Sequence, residues 1–188
     1  KFPTVNDLAF APQSEIIKAW QGLGYNRRAL NLHRAAKEII VKYPKSFPNT
    51  EAELLALPGM GEYTAGAVLI FAFNKHIATV DINIQRLLSR LFRKMPDINS
   101  MLATKEVMSI AESILPKNNS RLWHETLMDF GATICTKRNP KCTECPLYVR
   151  CKSGKTLINK TATISVLRTT TTEPRYFGYP KRIWRGRV

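Results

Sequence analysis

Apolar residues along this chain recur at helical rather than alternating spacing. Ser14 to Gly22 places Ile16, Ile17 and Trp20 on one face and ends at the breakers Gly22 and Gly24. A longer helix is predicted from Arg27 to Tyr43, with Leu30, Leu32, Ala35, Ile39 and Ile40 on its apolar stripe. Thr50 and Glu53 have the spacing of a capping box ahead of Leu54, Leu55 and Leu57. A tight turn at Leu57-Pro58-Gly59-Met60-Gly61 then leads into an apolar helix from Tyr63 to Phe73. The next helix starts after Asp81 and carries Ile84, Leu87, Leu88 and Leu91; two more are predicted over 101–115, closed by Pro116, and 120–134. Short connections between successive helices predict an all-α architecture.

Composition changes that picture in one respect. The chain carries 29 Lys and Arg against 14 Asp and Glu, a net charge of +15, which points to a polyanionic partner. No apolar run is long enough to span a bilayer. Beyond Cys151 the sequence turns basic and threonine-rich, with Glu173 its one acid, and reads as a weakly ordered tail with a further helix starting at Ile183.

The only cysteines, Cys135, Cys142, Cys145 and Cys151, form C-x6-C-x2-C-x5-C. Four thiolates in so short a segment can surround one metal centre, and the residues alone leave structural zinc and an iron–sulfur cluster equally open. Two disulfides are the weaker reading, since no signal peptide is visible and the chain can bury a core without staples.

Two further segments carry candidate chemistry. In LPGMGEYTAGA, Leu57 to Ala67, Gly59 and Gly61 allow a close backbone turn, and the amides opening the second helix suit a phosphate. Asp81 follows the apolar-leaning run Ile77 to Val80 at a helix start. An N-cap suffices to explain it, and the same position also suits a carboxylate facing a developing positive charge.

The hairpin, the V-D-x-N-x-x-R segment and the cysteine loop occur in the order of the endonuclease III superfamily of DNA glycosylases, over roughly residues 1–151. FPTVNDLAFAP, WQGLGYNRRALNLHRAA, LPGMGEYTAG, VDINIQRLLSRLF and LMDFGATICTKRNPKCTECPL resemble the MutY-type adenine glycosylases most. The resemblance implies two helical lobes with DNA and the active site between them: a barrel with the helix–hairpin–helix over 1–77, a lobe over 78–151 ending in a [4Fe-4S] cluster on the four cysteines, and a basic tail over 152–188. It implies base excision repair of adenine opposite 8-oxoguanine or guanine in double-stranded DNA, by a monomeric, cytoplasmic, nucleoid-associated protein. Asp81 matches the catalytic aspartate, and Asn83 matches a position beside it. Tyr63 stands where lyase-competent relatives carry a Schiff-base lysine, so a monofunctional glycosylase is implied. Leu23 and Tyr25 match residues that wedge into the duplex, and Arg28, Gly59, Gly61 and Arg86 complete the expected DNA contacts. His33, His76 and His124 show no ligand spacing and read as structural; Asp129 reads as an internal hydrogen-bond partner.

Three departures from the pattern bear on function. The family pattern begins with a helix upstream of Lys1 bearing the glutamate that protonates the leaving adenine, so a truncated sequence is expected, severely impaired as it stands. Ile82 replaces a glycine beside Asp81, which loosens the case for adenine. The residues after Cys151 are too few for a domain that reads 8-oxoguanine. The competing readings are a thymine or uracil mismatch glycosylase and a non-catalytic DNA-binding module.

Overall fold

A computed structural model describes residues 1–96 and 101–159, and the backbone of Arg175–Tyr176 and Tyr179–Pro180. The helix predicted at Ile183 lies outside the described residues. The described part of the chain is helical except for an antiparallel pair, β1 (Arg175–Tyr176) and β2 (Tyr179–Pro180), paired in register Arg175↔Pro180 and Tyr176↔Tyr179. It falls into two compact units, one containing residues 1–61 and the other residues 62–159.

The first unit is built on α3 (Arg27–Lys42), against which α1 (Val5–Phe10) and α2 (Gln13–Ala19) pack. The sequence reading missed α1, yet Thr4 and Asp7 close a full capping box at its start. The buried face of α3 is Ala29, His33, Ala35, Ala36 and Ile39; the small alanines allow close helix approach. Leu32, expected on that face, is instead 47% exposed, because the true stripe runs through Ala29 and His33, offset from it around the helix. His33 is structural, with Nε2 hydrogen-bonded to the Ala9 carbonyl at 3.2 Å. The Thr50–Glu53 capping box is present at the head of α4 (Glu51–Leu55).

The second unit holds α5 (Glu62–Phe71), α6 (Ile82–Phe92), α7 (Thr104–Ser113) and α8 (Ser120–Thr133), with α6 packed on both α7 and α8. Val80, Ile84, Leu88, Leu102, Val107 and Ala111 form its core. The cysteine segment follows α8 through 3-10 turns at Cys142–Glu144 and Tyr148–Arg150. Residues 154–159 are helical, and Gly154 and Leu157 are buried, so the basic stretch is not a loose tail from its first residue: Leu157 gives it an apolar anchor.

Candidate active site and cysteine cavity

Asp81 is the N-cap of α6. Its Oδ1 accepts the Ile84 N–H at 2.7 Å, and its Oδ2 accepts Nδ2 of Asn83 at 2.8 Å. A cap of this kind is worth about 1 kcal/mol. It also fixes both carboxylate oxygens, each keeping a lone pair free for a cation in front of it. Asn83 passes the contact on: its Oδ1 accepts Nη2 of Arg86 at 3.1 Å.

Arg86 corrects an expectation. Read as a DNA contact, it is 4% exposed and spends its guanidinium inside the protein, on Asn83, on the Gly131 carbonyl at 2.5 Å and on the Cys135 carbonyl at 2.9 Å. Burial lowers its pKa, while the Cys135 thiol and Asp81 oppose that shift. The approach of α8 to this group needs glycine: a Cβ on Gly131 would stand 2.9 Å from the Asn83 Cβ.

Tyr63, on the first turn of α5, is 41% exposed and donates its hydroxyl to the Met128 sulfur at 3.6 Å. Burial, and then the negative charge of Asp81, hold its phenol above the ordinary value. It remains a neutral phenol near pH 7 and offers no amine. Ile82 projects from the first turn of α6, 52% exposed. Asp129 is exposed rather than internal, on the same face as Thr126 and Thr133, which is the solvent side of α8. His124 is structural, as read.

In the first unit, three of four residues in the loop after α2 have a left-handed backbone, with φ of 88° at Gly22, 69° at Gly24 and 51° at Tyr25. The Trp20 indole N–H donates to the Gly24 carbonyl at 2.9 Å, and the Arg28 guanidinium lies 5.4 Å from the Trp20 ring centre. This frame leaves Leu23 64% and Tyr25 82% exposed, so neither closes a core. Tyr25 is thus a non-glycine residue held in the uncommon left-handed region with its ring exposed. In the turn at 57–61, Gly59 has φ of 78°, and an added Cβ would stand 2.6 Å from the Asn31 Cβ. Gly61 meets nothing within 4 Å.

The four cysteines are free and half-buried. All four line one cavity in the second unit, with Leu87, Phe130, Ile134, Leu147, Tyr148 and Leu157, around about 370 Å³ of atom-free space partly open to solvent. Arg90, 3% exposed, wraps the start of the loop: Nη1 donates to the Thr136 carbonyl at 2.7 Å and approaches the Cys135 sulfur at 3.5 Å, and Nη2 donates to Lys137 O at 3.1 Å. The Arg90 carbonyl accepts the Cys151 thiol at 3.3 Å, so one residue joins the first and last cysteines. Burial pushes the Cys142 and Cys151 thiols up, so metal binding must displace protons. Among the described residues, no three His, Cys, Asp or Glu side chains are grouped to hold a single ion.

The sequence profile of HhH-GPD superfamily base excision DNA repair proteins matches residues 1–116. The chain belongs to this superfamily. Among curated relatives, this HhH-GPD protein is 41% identical over 153 residues to the adenine DNA glycosylase of Buchnera aphidicola subsp. Baizongia pistaciae, covering 81% of the chain and 43% of that relative. It is 33% identical over 154 residues to the human adenine DNA glycosylase, covering 81% of the chain and 28% of the human protein. The chain thus spans less than half the length of these relatives. Among solved structures, a thermostable thymine-DNA glycosylase matches with a TM-score of 0.74 and 34% identity, over 83% of this chain and 72% of that one. A non-covalent endonuclease III–DNA complex matches with a TM-score of 0.72 and 30% identity, over 85% and 73%. No helix among the described residues is long and apolar enough to cross a membrane.

Proposed function

We propose that this chain is the glycosylase portion of a monofunctional adenine DNA glycosylase, hydrolysing the N-glycosidic bond of adenine mispaired with 8-oxoguanine or guanine in double-stranded DNA. The observation that carries the reading is the Asp81 carboxylate, held by the Ile84 amide and by Asn83 at the head of α6. A carboxylate so oriented stabilises the oxocarbenium ion that forms at the sugar C1′ as the base departs, by charge or through a transient covalent adduct. Water completes the hydrolysis; the leaving base takes its proton from an acid outside the described residues. With tyrosine at 63, no Schiff base forms there and the strand is left intact at an abasic site.

Each unit supplies its own part. The first brings the 57–61 turn to the phosphate backbone, and Leu23 and Tyr25 to the base stack, where such wedges offset the few kcal/mol needed to extrude a base. Arg28, exposed beside Trp20 on the first turn of α3, reaches the duplex next to that loop. The second brings Asp81, Asn83 and Tyr63. A two-lobed plan and action as a monomer on nucleoid DNA belong to the same reading; the division expected at residue 77 falls instead between Gly61 and Glu62.

Cys135, Cys142, Cys145 and Cys151 would hold a [4Fe-4S] cluster. All four line one apolar cavity, and an all-thiolate donor set suits iron–sulfur ligation. When bound, the cluster ties the loop into a fixed shape and presents its basic residues Lys137, Arg138 and Lys141 to DNA. Iron and acid-labile sulfide at about four each per chain would support this; a colourless protein with one zinc would overturn it.

A second reading, thymine or uracil removal from G·T or G·U pairs, is favoured by the likeness to the thymine-DNA glycosylase structure and by Ile82 in place of glycine. Single-turnover assays with the full-length protein on duplexes with A·8-oxoG, A·G, T·G and U·G, resolved with and without alkali, separate the two. Alkali-dependent cleavage at adenine only, abolished in Asp81→Asn, is expected. Cleavage at thymine or uracil would move the assignment, and tight binding with no base release from any duplex would reduce Asp81 to a helix cap.

A further inference from the structure

The segment that delivers Asp81 to its place, Ile77 to Val80, belongs to no strand, so no sheet ladder holds its backbone. Two side chains on the first turns of α8 do so instead. The Ser120 hydroxyl donates to the Ile77 carbonyl at 3.1 Å, and Nε2 of His124 accepts the Thr79 N–H at 3.0 Å. His124 is fully buried, and its Nδ1 is bonded to the Ser120 carbonyl at 2.7 Å. Because the Thr79 amide donates to Nε2, the ring proton sits on Nδ1, and the ring spans helix and segment in one tautomer. The Trp123 ring stands edge-on to the imidazole at 4.7 Å between centroids and limits its rotation.

A second contact presses the same residue from α5. Thr79 is 3% exposed, and a Cβ on Gly66 would stand 2.8 Å from its Oγ1. Thr79 is therefore held between α5 and α8, by close approach on one side and by a buried hydrogen bond on the other. Asp81 lies two residues further along a backbone with few soft degrees of freedom. Its carboxylate must also face a reacting carbon, where a small misplacement is costly.

We propose that His124 is a positioning residue for the Asp81 carboxylate: by clamping Thr79 to α8, it fixes where the head of α6 presents that carboxylate. The inference rests on the reading of Asp81 as the reacting group. His124 touches neither substrate nor Asp81 and acts through the backbone of residues 79–81.

The test uses the full chain with His124→Leu, which keeps bulk and removes both ring nitrogens, and His124→Gln, whose amide oxygen reaches the place of Nε2. Single-turnover base release, duplex affinity and native-state hydrogen exchange at the Ile84 amide are measured for each. In His124→Leu, base release falls by on the order of 10²-fold with duplex affinity unchanged. The Ile84 amide, which donates to Asp81, exchanges faster, while amides of α3 keep their protection. His124→Gln restores most of both. Unaltered Ile84 protection in His124→Leu overturns the proposal, as does a parallel loss of rate, affinity and α3 protection, which marks general unfolding. Failure of Gln to restore either signal also overturns it. If Asp81→Asn is as fast as the unaltered protein, the reading of Asp81 has failed, and the Ile84 amide still decides whether His124 holds the segment.

Discussion

Replacing Gly131 with alanine pits a general rule against a local contact. Alanine in a helix interior is favoured over glycine by about 0.8–1.0 kcal/mol, so on propensity alone the change stabilises α8. Here the new methyl would lie 2.9 Å from the Asn83 Cβ and 3.3 Å from the Asn83 carbonyl oxygen. Two of those neighbours in α6 are effectively backbone, which cannot swing aside as a long side chain can. Overpacking of this kind costs about 1–3 kcal/mol. Moving α6 also loosens the Arg86 bond to the Gly131 carbonyl and the Asn83 bond to Asp81, each worth about 1 kcal/mol net. The balance is a destabilisation of about 1–2 kcal/mol, read as a lower urea midpoint at unchanged slope. Base release slows as well, because Asn83 is the residue displaced. Gly131→Ala with a midpoint equal to or above the unaltered protein would falsify the packing argument and show that α6 and α8 can part freely.

Three further outcomes are expected. Gly59→Ala loses roughly 2 kcal/mol or more in urea melts, from a left-handed backbone and the Asn31 contact, whereas Gly61→Ala stays within about 0.5 kcal/mol while duplex binding weakens in a gel-shift titration. Arg90→Leu leaves the carbonyls of Pro96, Thr136 and Lys137 without their donor; a loss of about 3 kcal/mol and a lower iron content are expected, with Arg90→Lys only partly restoring either. Stability falls on acidification, because burial lowers the His124 pKa and a proton on Nε2 would face the Thr79 amide. With the folded pKa below an unfolded value of about 6.5, that stability is present above pH 6.5 and is lost as pH drops through the folded pKa. His124→Gln should flatten this part of the urea midpoint-against-pH curve.

The parts of the fold legible in the sequence are those whose cause is local. The Thr50–Glu53 box and the Asp81 cap need only residues within one turn, and the structure has both. The apolar runs of α5 and α6 showed where burial would fall, whereas α8 buries Ser120, His124 and Gly131 and leaves Leu122 60% exposed. Helix α1 escaped because six residues are too few to show a period, although Thr4 and Asp7 carried its start signal. Asp129 was misjudged because Leu127, Met128 and Phe130 surround it in sequence; the polar spacing Thr126, Asp129, Thr133 marks the solvent face instead. Arg86 could not be placed from sequence at all. Its acceptors, the carbonyls of Gly131 and Cys135, lie 45 and 49 residues away, and arginine on an amphipathic helix is by default solvated.

Burying Arg86 and Arg90 with no carboxylate partner among the described residues looks costly until the end of α8 is considered. A helix leaves its last carbonyls without intrahelical donors and gathers partial negative charge there. Gly131 O is one such carbonyl, and those of Cys135, Thr136 and Lys137 follow in the turn beyond it. The two guanidiniums satisfy these acceptors, so α8 supplies the counter-charge as dipoles rather than as an ion. Because Asn83, Arg86 and Arg90 share one face of α6, the helix that presents Asp81 at its head also grips the start of the cysteine loop along its side. Cys135 and Asp81 therefore belong to one hydrogen-bonded assembly. Replacing Cys135 removes its sulfur from Arg90 but keeps the carbonyl that Arg86 holds, so an activity lost in such a variant bears on the sulfur only if the Arg86, Asn83 and Asp81 contacts are shown intact.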